Sequence, residues 1–206
     1  MRVTSLTIAA LALLATGGAA RAADSGTPRE HDGFFVQMNL GGGQMASSVS
    51  SGGLDVELSG FAPPFALAIG ATVVPNLVVA GQFWGSGVSS PEVKVNGQSQ
   101  GSPPESRHTL TCFGVNVAYY FMPINVYVSA TPSMGMLGVQ ARGLNFPTKN
   151  GFAFRLAAGK EWWVSDSWGL GLNLQYARSS NKADATSADA TWVTNSFGLV
   201  FSATYN

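Results

Sequence analysis

The sequence predicts an all-β chain, a single eight-stranded up-and-down antiparallel transmembrane β-barrel, and three observations predict it. Apolar residues recur with period 2 through most of the chain, the connections between these segments sort into short and long, and only 11% of the 206 residues are charged while 25 are glycine. A soluble domain usually carries about a quarter charged residues. Low charge without a long apolar helix points to membrane contact spread over strands.

Residues 1–23 read as an export signal and not as part of the fold. Arg2 supplies a positive start, Leu6 to Ala15 is apolar, and Ala20-Arg21-Ala22 offers a small-residue cleavage site. The apolar core, about ten residues, is shorter than the roughly 20 that a spanning helix needs. Residues 24–32 are polar, contain Pro28 and form a short periplasmic tail; residues 33–206 form the barrel. With Arg2 and Arg21 removed, nine basic face eleven acidic residues, so there is no basic field for nucleic acid. Cys112 is the one cysteine, which excludes an intrachain disulfide.

Eight segments alternate: Gly33 to Ala46, Leu54 to Val74, Leu77 to Ser89, Arg107 to Phe121, Val126 to Leu137, Gly151 to Val164, Trp168 to Ser179 and Thr191 to Tyr205. The second and third could be mistaken for one membrane helix, since Phe65 to Ala80 is almost wholly apolar. Pro75-Asn76 lies inside that run with β-branched residues on both sides, which makes it a hairpin. Its odd-numbered residues should face lipid on both strands.

Connections after the second, fourth and sixth strands are tight: Pro75-Asn76, Met122 to Asn125 and Ser165 to Ser167. Those after the first, third, fifth and seventh are longer and polar: Ser47 to Gly53, Ser90 to Ser106, Gly138 to Asn150 and Ser180 to Ala190. This alternation is the topology of an outer-membrane barrel, with tight turns in the periplasm and long loops outside.

Alternation within a strand separates two faces. In the fourth, Phe113, Val115, Val117, Tyr119 and Phe121 oppose Cys112, Gly114, Asn116, Ala118 and Tyr120. In the seventh, Trp168, Leu170, Leu172, Leu174 and Tyr176 oppose Gly169, Gly171, Asn173, Gln175 and Ala177. A soluble barrel turns its apolar face inward and a membrane barrel turns it outward; the loop sorting and the closing Tyr205 favour the second. Phe121, Trp162, Trp168 and Tyr205 then form an interfacial aromatic girdle near the tight turns. Lys160 faces lipid close enough to a turn to snorkel. Gln37, Asn39, Arg155, Glu161, Asn173 and Gln175 point into the lumen, where they are expected to pair with one another, because eight strands leave an interior that side chains fill.

The run Gly159-Lys160-Glu161-Trp162-Trp163-Val164-Ser165-Asp166-Ser167-Trp168-Gly169-Leu170-Gly171 is particularly like the strand-turn-strand of small outer-membrane barrels. With the signal, the eight alternating strands and the sorted loops, the chain from Gly33 onward resembles the small Gram-negative outer-membrane proteins of the OmpA, OmpX and OmpW type. Such chains usually end on the aromatic itself, whereas Asn206 follows Tyr205 here. The resemblance implies an outer-membrane location, insertion by the barrel-assembly machinery, and contact with outer-membrane lipid and lipopolysaccharide.

Enzyme chemistry has little support. Glu105, Ser106 and His108 sit where a loop enters a strand, but strand neighbours point to opposite faces and no nucleophile elbow is present. His108 is expected to be solvated, and His31 belongs to the tail. Neither histidine pairs nor cysteine clusters suggest a metal site; Asp184 with Asp189, or Asp55 with Glu57, offers at most a weak surface Ca²⁺ contact. No cofactor is implied. The expected role is structural or interactive through the extracellular loops, Ser90 to Ser106 above all. The alternatives are a narrow porin-like channel or path for small apolar molecules, a secreted soluble ligand-binding barrel, and a lipid-modifying barrel enzyme.

Overall fold

The structure, a computed structural model, describes residues 30–141, 144–184 and 190–206. The expected signal and most of the expected tail lie outside these residues. The strands are β1 (Phe34–Ser51), β2 (Leu54–Phe61), β3 (Pro64–Val74), β4 (Leu77–Ser89), β5 (Glu92–Val95), β6 (Gln98–Ser99), β7 (Arg107–Phe121), β8 (Val126–Ala141), β9 (Leu144–Pro147), β10 (Gly151–Trp163), β11 (Trp168–Lys182) and β12 (Thr191–Tyr205). β2 and β3 pair with the same side of β1 and form one interrupted stave. Eight staves therefore run antiparallel around the wall, and β12 returns to β1 from Val36 opposite Tyr205 to Ser48 opposite Val193. Closure pairs the two end staves of the sheet, β1 and β12, with each other, as an apolar solvent requires.

The tight turns lie at Pro75-Asn76 and the 122–125 segment, as expected, and at 164–167, one residue longer than the expected Ser165 to Ser167. Asn76 and Asn125 supply the left-handed backbone, with φ of 67° and 52°. The odd-numbered residues of β3 and β4 do face outward, Phe65, Leu67, Ile69 and Val79 among them.

At the opposite end the expected loops are partly strand. β1 runs on to Ser51 and turns through Gly52-Gly53, both with positive φ, into β2. β5 and β6 extend from β2, β8 continues to Ala141 and pairs with β9, and β11 reaches Lys182. β5, β6 and β9 are four, two and four residues long and residues 47–51 and 180–182 are mostly polar, so no sustained alternation of hydrophobicity marks these pieces as strands.

Orientation of the two faces decides between a membrane wall and a soluble wall. Leu40 is 67% exposed, Phe113 65% and Phe201 58%, whereas Ala118 is 2% and Tyr120 0% exposed. Along β7 the expected outward residues are exposed and the expected inward ones buried without exception. The interior differs from a wholly polar filling, because Phe35, Met45, Trp84, Leu110, Tyr120, Tyr127 and Leu137 are all buried inside.

An apolar exterior carries an expected penalty for charge. Leu199, 54% exposed, lies six residues along β12 from Tyr205, near the middle of the apolar band. Leu199→Arg is expected to lower folding stability in lipid vesicles by about 2–4 kcal/mol, measured by urea unfolding. An equal substitution at exposed Gln98 in the polar extension should leave it unchanged.

Candidate functional site

The polar lumen residues come from strands of matched parity, so all point to one axis. Asn173 donates to Asn39 at 2.8 Å, Asn39 donates to Gln37 at 3.1 Å, and Gln37 donates to Glu161 at 3.1 Å. Thr204 and Ser202 add donors to the same Glu161 oxygen at 2.6 and 3.1 Å. Every bond in the relay points toward one carboxylate, so successive amides polarise one another in the same direction. Gln37, Asn39, Glu161 and Asn173 are each at most 3% exposed.

Arg155 belongs to a second cluster. Its Nε donates to Gln175 at 2.8 Å and Nη1 reaches Gln82 at 3.5 Å, while Thr131 donates to Gln82 at 2.6 Å. The six expected lumen residues thus fall into two groups, and Arg155 forms no bond with Glu161. Gln82, Thr131, Ser202 and Thr204 are further members that the sequence reading did not single out, although their strand parity marks them as inward.

Apolar layers lie at both ends of this polar zone. Met45, Trp84, Leu110 and Leu137, with half-buried Trp192 against them, form the layer toward the strand extensions. Phe35, Val78, Tyr120 and Tyr127 form the layer toward the tight turns.

His31 completes the turn-side layer and is fully buried. Its ring stacks on Tyr120 at 3.7 Å between centroids and leans on Trp163 at 5.0 Å. Two turn asparagines hold it: its backbone N–H donates to the Asn76 side chain at 3.1 Å, and Nε2 lies 2.9 Å from Asn125 Oδ1. The Asn76 N–H in turn donates to the His31 carbonyl. Nothing in the local pattern around His31 signals this, since its partners are 45 and 94 residues away.

On the outside, Phe121, Trp162, Trp168 and Tyr205 are 45, 37, 41 and 37% exposed, and Trp168 packs edge-on against Tyr205 at 5.4 Å. Lys160 donates to the Ile124 carbonyl of the neighbouring turn at 2.8 Å and lies over the Trp162 ring.

His108 is not solvated but 1% exposed, and its Nε2 lies 2.8 Å from Ser47 Oγ, which lies 2.6 Å from Thr194 Oγ1. Ser106 turns away to the Pro103 carbonyl, so the Glu105, Ser106 and His108 arrangement does not form. The Ser47–His108 pair has the reach of a nucleophile and base. Ser47 is as buried as the histidine, and His108 Nδ1 meets no hydrogen-bond partner among the described residues. Asp184, Asp55 and Glu57 belong to no cluster of three metal-ligating side chains among the described residues, and Asp189 lies outside them.

The pairing of the interrupted stave with its next neighbours steps where β2 gives way to β3. Pro64 lies opposite Ser86 and Ser59 opposite Glu92, so the register steps by one residue, and no ladder pairs join 60–63 to 87–91. Pro63 and Pro64 have no N–H to offer a neighbouring strand. A hollow of about 520 Å³ opens here, lined by Gln44, Phe61, Pro63, Val88, Glu92 and Ser102.

The bond pattern separates charge from shape at Glu161. Glu161→Gln keeps an acceptor of the same size, whereas Glu161→Leu strands the donors of Gln37, Ser202 and Thr204. The leucine variant is expected to lose about 2–4 kcal/mol of unfolding free energy and the glutamine variant less than half of that, by urea titration in detergent. His31→Ala is expected to speed amide exchange at Asn76 and Tyr120 without altering exchange in β11.

No family model and no curated protein matches the chain. Solved structures do resemble it. Neisserial surface protein A superposes with a TM-score of 0.51 at 17% identity, covering 84% of this chain and 96% of that one. OprG from Pseudomonas aeruginosa gives 0.50 at 9% identity, covering 87% and 100%. The outer membrane protein AlkL gives 0.49 at 16% identity, covering 90% and 95%. Closed pairing, an apolar exterior and the likeness to Neisserial surface protein A and OprG together give the chain the fold of the small eight-stranded outer-membrane β-barrels, the OmpA, OmpX and OmpW type.

Proposed function

We propose that the chain is an outer-membrane protein, exported with a cleaved signal and inserted by the barrel-assembly machinery, whose barrel is a non-enzymatic scaffold for its surface-exposed end. One observation carries this reading: the wall continues past the apolar band only at the end away from the aromatic girdle, as the β1–β2–β5–β6 ribbon and the β8–β9 hairpin. Paired strands hold that end in a fixed shape, which suits recognition better than loose loops do. Lipopolysaccharide borders it, and its own partner is a molecule met at the cell surface. The lumen between, filled by side chains in three layers, serves stability.

The Ser47–His108 pair supports structure in this reading, because no substrate reaches a serine 1% exposed. A second reading, a path for small apolar molecules, is favoured by the unpaired step at Pro63-Pro64 and the hollow beside it. It requires passage through the wall and not along the axis.

Membrane fractionation and gel mobility test the first reading. The protein is expected in the outer-membrane fraction, with unheated and boiled samples migrating differently; recovery in the soluble fraction with identical mobility would refute it. Single-channel recording on folded protein is expected to show no defined conductance. Entry of a small apolar fluorophore into proteoliposomes, blocked by Gly60→Trp, would establish the second reading.

A further inference from the structure

We propose that the lumen binds a small monovalent anion, of halide size, at the free edge of the Arg155 guanidinium. Arg155 is 2% exposed and its Nη2 has no hydrogen-bond partner among the described residues. A guanidinium does not shed its proton in a protein, so this charge is present and must be balanced where it lies. Buried charges are tolerated when paired and hydrogen-bonded, and Arg155 has only two amide oxygens, one of them at 3.5 Å. Glu161 does not balance it. The two are six residues apart on β10, about 20 Å along an extended strand, and the Glu161 oxygen that is bonded already takes Gln37, Ser202 and Thr204.

The second donor of the site is Gln82. Its Oε1 accepts from both Thr131 and Arg155, which fixes the amide orientation and turns Nε2 away from them. Gln82 Nε2 is buried and has no partner among the described residues either. Two neighbouring side chains thus present unfilled donors beside one uncompensated positive charge, and an acceptor-only anion answers all three. The inward positions flanking Arg155 are small: Ala153 and Ala157 on its own strand and Ala177 opposite it, all at most 6% exposed. Met45, Trp84, Leu110 and Leu137 close the zone above and the His31 layer closes it below. That enclosure selects a compact singly charged ion over phosphate, sulfate or an organic acid.

The test refolds the full barrel from urea into detergent in sodium chloride, sodium bromide or sodium gluconate at equal ionic strength, and reads the thermal unfolding midpoint from gel mobility. Halide is expected to raise the midpoint by about 3–5 °C over gluconate. Arg155→Gln should abolish that difference and Gln82→Leu, which preserves volume, should reduce it by about half. Crystals of the unaltered protein grown in bromide should show an anomalous peak at hydrogen-bonding distance from Arg155 Nη2, a readout that does not depend on any variant folding. Equal midpoints in all three salts, a halide effect unchanged in Arg155→Gln, or water without anomalous signal at that position would overturn the proposal.

Discussion

Backbone hydrogen bonding without water is the constraint on which the rest of this molecule depends. In hydrocarbon every amide must find its partner in the protein, and the β1–β12 pairing is what makes that possible for a sheet. Once the sheet closes with eight staves, its inner radius is set, and the inside must be filled by side chains of matching bulk. Glycine and alanine on the inner face make room for Arg155, Tyr120, Tyr127 and Trp84. At Gly159, for example, a Cβ would stand 2.9 Å from the Tyr127 ring.

Filling such an interior with both polar and apolar groups solves two problems at once. Polar groups need partners, and amides arranged in a one-way relay onto Glu161 supply them. Apolar layers above and below exclude solvent and so strengthen the bonds between them. The outside imposes no matching demand for shape, since acyl chains adapt; it demands only hydrophobicity, with aromatics where the bilayer meets water.

That difference explains what could be read from the sequence. Lipid-facing alternation is strong in β7 and β11, so the strands and the parity of the lumen residues are legible in the sequence. Pairings across the lumen are not, because they depend on stave tilt and stagger, which local sequence does not encode. Gln37 and Glu161 are 124 residues apart, and Arg155 bonds Gln175 and not Glu161. His108 looked solvated because it follows a polar loop, yet β7 and β1 carry it inside the wall beside Ser47. Ser47–Ser51 and β6 lack apolar alternation, and β5 and β9 are only four residues long, too short for a period of two to stand out from loop.

The register at the seam has one more consequence. Val36 faces Tyr205 across adjacent staves, and Tyr205 also neighbours Trp168, so the beginning and the end of the barrel wall stand side by side at the same rim. A short bridge could join Phe34 to Tyr205 while a cut at the Asn96-Gly97 hairpin, on the other side of the bilayer, supplies new ends. The identical cylinder would then be threaded in a different order, its former termini facing one compartment and its new ones the other.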